Sequence, residues 1–184
     1  GNSMIDSSNQ RENGNGSFDR TLERLFPNGV RRVLLVNPPS VVESDFRLDM
    51  ARDRRYWSYP PNGAATLAAN LKNVGYKVDI CDLNSFILSE SVKSDFFRYN
   101  LWRWWFDKDF LSCFFPDVVG ISTMFTMQHS CMTDIVGECK RKNIPVMVGG
   151  VHPTNARDFI LNGCPDIDIL GLYECDRALP IFFD

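Results

Sequence analysis

The chain has 184 residues, 44% of them hydrophobic, with 23 acidic against 20 basic side chains and a formal net charge of −3. That is enough for one domain with its own core, and the lack of a basic stripe argues against a phosphate-tracking nucleic-acid binder. No apolar run reaches the length of a membrane span, and the polar first residues show no secretory signal.

Residues 1–28 are rich in Asn, Ser, Gly and charge and read as a disordered tail, with Gly1–Ser3 ahead of Met4 an expression remnant. Gly14–Gly16 lies in this tail and follows no strand, so it is a weak phosphate loop. From residue 29 to 184 the pattern alternates between apolar strands and amphipathic helices. "RRVLLVN" (31–37) is a continuous apolar run, as in a strand covered on both faces. A loop over 37–60 carries Pro38, Pro39 and several arginines. "PPNGAATLAANLKNVG" predicts a helix with Ala64, Leu67, Ala68, Leu71 and Val74 on one face, Pro61 near its start and Gly75 as its stop.

"YKVDICD" (76–82) predicts the second strand and "DVVGIS" (117–122) the third. A helix over about 126–142 places Met127, Cys131, Ile135 and Cys139 at helical spacing, with Lys140, Arg141 and Lys142 in its last turn, where the helix dipole favours cations. "PVMVGG" predicts the fourth strand, "NARDFILNG" a short helix between Asn155 and Gly163, and "DIDILG" (166–171) the fifth strand, followed by a partial helix. Between the second and third strands, an insertion at about 90–115 is set apart by "FFRYNLWRWWFDKDFLSCFF" (96–115), half of it aromatic with three of the four tryptophans. A single helix cannot bury aromatics around its whole circumference against one sheet, so part of this segment is expected to face another domain, a subunit or a ligand.

Five strands alternating with helices define an α/β fold, a doubly wound five-stranded parallel sheet of Rossmann-like or flavodoxin-like type. Such sheets bind ligands beyond the carboxyl ends of their strands, where strand order reverses. Asn37–Pro39, Asp82–Asn84, Ser122–Thr126, Gly149–Thr154 and Gly171–Glu174 therefore meet at one edge. The six cysteines (Cys81, Cys113, Cys131, Cys139, Cys164, Cys175) follow no zinc or cluster spacing and read as buried, reduced thiols of a cytoplasmic protein.

Common tenants of this fold fail on motif. The first strand–helix junction reads "NPPSVVES" instead of G-x-G-x-x-G, and prolines supply no amide donors to a pyrophosphate. Asn37 and Ser122 stand where a phosphoacceptor site needs acids, and no G-x-S-x-G elbow occurs. What remains is hydroxyls (Ser122, Thr123, Thr126) after one buried strand and bare backbone (Gly149, Gly150) at the end of the next. Singly, the hydroxyls read equally well as a helix cap and the glycines as a chain turn. Together, at adjacent strand ends, they favour a large ligand with a flat, polar-edged tail.

"RRVLLVNPP", "YPPNGAATLAANLKNVGYKVDICDLN", "PDVVGISTMFTMQHSCM", "IPVMVGGVHPT" and "DIDILGLYECD" follow in an order that resembles the amino-terminal cobalamin-binding domain of cobalamin-dependent radical S-adenosylmethionine enzymes, over about 31–180. The wider cobalamin-binding family carries an Asp-x-His-x-x-Gly loop, a Ser-x-Leu motif and a Gly-Gly motif. Ser122-Thr123-Met124 and Gly149-Gly150 match the last two; no D-x-H-x-x-G follows Asn37, a loss typical of the radical enzymes. Where that family ends its fifth strand with Gly-Glu-Gly-Glu, this chain has Tyr173-Glu174-Cys175-Asp176.

The resemblance implies base-off cobalamin with no protein histidine on cobalt. It implies Ser122, Thr123, Met124, Thr126, Gly149, Gly150 and Val151 around the nucleotide tail, Asn37, Pro38 and Pro39 beneath the cobalt, and Tyr173 and Glu174 at the fifth strand's end. His152 is expected to donate a hydrogen bond to the ligand's polar edge and His129 to be structural. The S-adenosylmethionine and iron–sulfur cluster would belong to a catalytic barrel, in a further domain or a separate subunit, and the reaction is expected to be methyl transfer. Two alternatives stay open: a cofactor-less relative that docks another protein through its aromatic segment, and a corrinoid carrier or sensor.

Overall fold

The computed structural model describes residues 26–58, 61–123, 129–150 and 169–170. The chain divides after Val30 into two units. In the first, Phe26–Val30 form a turn closed by the Gly29 N–H donating to the Phe26 carbonyl, 3.0 Å.

The second unit opens with β1 (Arg32–Asn37). The loop after it holds a 3₁₀ turn (Glu43–Asp45) and the short helix α1 (Leu48–Arg52), neither of which the sequence reading foresaw. Then follow α2 (Asn62–Asn73), β2 (Lys77–Asp82), α3 (Leu83–Lys93), α4 (Leu101–Trp105) running into a π-helical turn (Phe106–Leu111), β3 (Val118–Thr123), α5 (His129–Arg141) and β4 (Val146–Gly150). The four strands form an all-parallel sheet in the order β2-β1-β3-β4. Ile169–Leu170 pair in parallel with Met147 and Val148 of β4. The rest of the expected fifth strand, and the helices expected after β4, lie outside the described residues.

Chain order and strand order together explain why both faces are covered. The step from β1 to β2 runs one way along the sheet and the step from β2 to β3 runs back across β1. Right-handed crossovers then put α2 on one face and α3 on the other. Successive strand residues point to opposite faces. Leu34 and Val36, Cys81, Val119 and Ile121, and Val146 join Leu83 and Ile87 of α3 and Ile135, Val136 and Cys139 of α5 in one buried cluster. On the other face Val33, Leu35 and Val118 are buried, and α2, packed on β1 and β2, buries Ala64, Leu67, Ala68 and Leu71. Val74, expected on that face, is exposed because the helix has already ended.

Helices α2 and α5 stop the same way. Gly75 (φ +103°) donates to Lys72 and the Tyr76 N–H to Leu71; Asn143 (φ +55°) donates to Lys140 and the Ile144 N–H to Cys139. These are paired Schellman bonds, with a left-handed residue in the position that glycine and asparagine tolerate. A Cβ on Gly75 would meet nothing within 4 Å. Gly75→Ala is therefore a pure backbone penalty, expected to lower unfolding free energy by about 1 kcal/mol in urea melts.

The aromatic stretch is mostly core. Trp102, Phe106, Phe110 and Leu111 are buried in the main cluster, and Trp105 stacks on Phe86 of α3 with ring centroids 4.1 Å apart. The sequence argument assumed one helix of constant phase. The π turn, with the Ser112 N–H reaching back to Asp107 at 2.8 Å, shifts that phase and lets residues beyond α4 keep facing inward. Phe96, Trp104 and Phe115 remain exposed. Arg103 ties the stretch to α5 through Glu138 (3.0 Å) and Asp134 (3.3 Å). Of the four described cysteines, Cys81, Cys131 and Cys139 are buried as expected and Cys113 is exposed, a correction, since it sits in the turn after the π-helical residues. Among the described residues no helix is long and apolar enough to cross a membrane.

Candidate functional site

Four strands deliver their carboxyl ends to one edge, and β1 and β3, whose crossovers leave in opposite directions, mark the reversal point. Ser122 lies opposite Gly149 and Thr123 opposite Gly150. The two segments singled out as tail-binding are thus neighbours in register, at the last positions of their strands. Both glycines are strand residues, so at these positions they do not turn the chain. They leave a strip of backbone without side chains beside two hydroxyl residues.

On the next strand pair, Asn37 lies opposite Asp82 and donates its Nδ2 to Asp82 Oδ1 at 3.0 Å. The same carboxylate oxygen caps α3 by accepting from the Ser85 N–H at 3.0 Å. Asn37 is therefore engaged sideways with β2. Pro38 and Pro39, the first residues of the loop after β1, are buried. Ser40 donates both its N–H and its hydroxyl to Oδ1 of Asn84, each at 2.9 Å, and Tyr99 donates its hydroxyl to the Val41 carbonyl at 2.6 Å. Two side chains from separate elements thus hold the loop that follows β1.

Under that loop is a cavity of about 380 Å³. It is lined by Pro39, Val42, Glu43 and Ser44 of the loop, by Tyr99 and Trp102, and by Ser130, Cys131 and Asp134 of α5. Tyr99 Oη lies 3.8 Å from Cys131 Sγ. Burial, with the nearby thiol adding to it, pushes the Tyr99 phenol far above its ordinary range, and burial pushes the Cys131 thiol up. Burial also lifts the Cys81 thiol well above its ordinary value, with Asp82 and Asp79 adding to the effect.

These groups are harder to ionise folded than unfolded. Their contribution to stability is fully present below the ordinary thiol value near 9.0 and is lost as pH rises through the higher folded values. Thermal melts at rising pH are expected to show a midpoint that falls above about pH 9, with a shallower fall in Cys81→Ala.

Met124, Thr126, Val151, His152, Tyr173 and Glu174 lie outside the described residues. Tyr99, Trp102, Glu43 and Asp134 were not foreseen at this edge. The aromatic stretch had announced Tyr99 and Trp102 as unusual, but nothing in one sequence places them beneath the β1 loop.

A family described as "B12 binding domain" matches residues 110–182. The match takes in β3, α5 and β4, hence the whole Ser122–Thr123 and Gly149–Gly150 pairing. It supports a cobalamin-binding domain. No curated protein matches the chain.

The residues present fit such a group. The backbone of Gly149 and Gly150 beside Ser122 and Thr123 would leave room for a large group, and the loop after β1, which begins with Pro38 and Pro39, has no imidazole, since the chain's two histidines are His129 and His152.

Proposed function

We propose that this chain binds cobalamin across the carboxyl ends of β1, β3 and β4 and presents it to a radical S-adenosylmethionine partner, in a further domain or a separate subunit, for methyl transfer. The observation that carries the binding is the register pairing of Ser122 with Gly149 and Thr123 with Gly150 inside the matched stretch. In this reading Met124, Thr126 and Val151 would complete the tail pocket, His152 would serve the ligand's polar edge, and Tyr173 and Glu174 would also contact the cofactor. A nucleotide tail drawn into the β3–β4 slot would take its base off the metal, and the β1 loop, which has no histidine, would not replace it there.

The bound corrinoid supplies the transferable methyl group; the chain binds and orients it and keeps one face of the macrocycle from water. The radical partner is supported by the ordered set of motifs and by the missing D-x-H-x-x-G loop. Titrating the full chain with hydroxocobalamin is expected to give saturable binding with a base-off visible spectrum. A base-on spectrum at saturation would overturn the coordination, and no binding at high micromolar cofactor would overturn the function.

One observation favours a second reading, docking through the aromatic segment: Phe96 is 92% exposed and Phe115 69%. A chain that captured a protein partner with no affinity for any corrinoid would establish it.

A further inference from the structure

We propose that Tyr99 and Asn84 are positioning residues that set the floor on which the corrinoid rests; this inference rests on the binding mode above. That mode puts the loop after β1 against the lower face of the metal. Pro38 and Pro39 bring no N–H, and the chain has no histidine within this loop. The polar groups that follow are drawn down into the fold. Ser40 spends its N–H and its hydroxyl on Asn84 Oδ1, and the Val41 carbonyl accepts from the Tyr99 hydroxyl.

Both anchoring side chains are more than nine-tenths buried, Asn84 6% exposed and Tyr99 9%. They come from α3 and from the turn before α4, 44 and 58 residues along the chain from their partners. Phe46 packs against Tyr99 edge-on at 5.3 Å, fixing the direction of its hydroxyl. Hydrogen bonds between buried groups set geometry well, because breaking one strands the other partner out of reach of water. The floor is therefore a rigid, donor-poor surface set by two side chains that do not touch the ligand.

The test uses two probes on the full chain: hydroxocobalamin, and a cobinamide, which keeps the corrin but lacks the nucleotide tail. Tyr99→Phe and Asn84→Ala are each expected to weaken both corrinoids by about tenfold and to change the visible spectrum of the bound form, as the loosened loop lets water reach the metal. Asn84→Asp, which keeps the acceptor oxygens, is expected to restore affinity and spectrum.

A purely structural role would instead lower the melting midpoint and leave affinity and spectrum unchanged well below it; that result would overturn the proposal. So would Asn84→Asp behaving like Asn84→Ala. If the unaltered chain binds neither corrinoid, the binding mode itself falls. If it binds both and the variants match it, only the floor assignment falls.

Discussion

Phe106→Ala is expected to remove about 3–5 kcal/mol from the unfolding free energy, a large part of the 5–15 kcal/mol that holds a typical domain together. Phe106 is fully buried and heads the fully buried side chains by size. It sits where α4 becomes the π turn, with its ring 6.2 Å from that of Trp102, and it shares one cluster with Leu34 of β1, Ile87 of α3, Ile121 of β3 and Ile135 of α5. Truncation there leaves a void walled by elements from both halves of the unit, each pinned by its own strand or crossover. Collapse around the void is therefore limited, which puts the penalty toward the upper part of the range. Phe106→Leu keeps most of the volume and is expected to lose less than half as much. Urea melts of the two variants check this; equal midpoints for Phe106→Ala and the unaltered chain would show that the stretch is peripheral to the core.

Gly150→Trp is expected to weaken hydroxocobalamin binding by at least about a hundredfold while leaving the melting midpoint little changed. Gly150 is the last residue of β4, at the sheet's carboxyl edge opposite Thr123, so it belongs to the strip proposed for the nucleotide tail. A ligand group displaced from a packed slot forfeits its contacts and leaves its polar atoms unpaired, several kcal/mol in all. The tail-less cobinamide should lose much less. That contrast separates a tail slot at β3–β4 from a general loss of the edge, and equal losses for both ligands would place the tail elsewhere.

The parallel sheet was legible because β1 is a continuous apolar run and the other strands are short, mainly apolar or alternating segments separated by helices, and the helix stop at Gly75 because glycine there has one main use. That Ser122 and Gly149 lie on one edge could be read from the alternation of elements, since a parallel sheet must bring all its strand ends there; that they are neighbours comes from the strand order. Helix α3 was not foreseen: its cap, Asp82 accepting from Ser85, begins on the last residue of a strand, so strand and helix signals overlap. How much of the aromatic stretch would be buried was out of reach for a geometric reason, the phase shift at the π turn; the outward-facing part that was expected is present in Phe96, Trp104 and Phe115. Asn84 and Tyr99 were out of reach for another. Each acts through a bond to a backbone group more than 40 residues away, and such pairings leave no periodic trace.

The order β2-β1-β3-β4 has a consequence for where this domain can be cut. The matched stretch begins at residue 110, yet β3 takes one of its two partners from β1, far upstream of that point. A fragment started at 110 would turn an interior strand into an open rim. Val118, Val119 and Ile121, each at most 1% exposed in the intact unit, would flank an unpaired row of amide and carbonyl groups ready to recruit a strand from a neighbouring molecule. Such a fragment is a seed for aggregation rather than a smaller cofactor carrier, and the shortest soluble version of this domain has to begin ahead of Arg32.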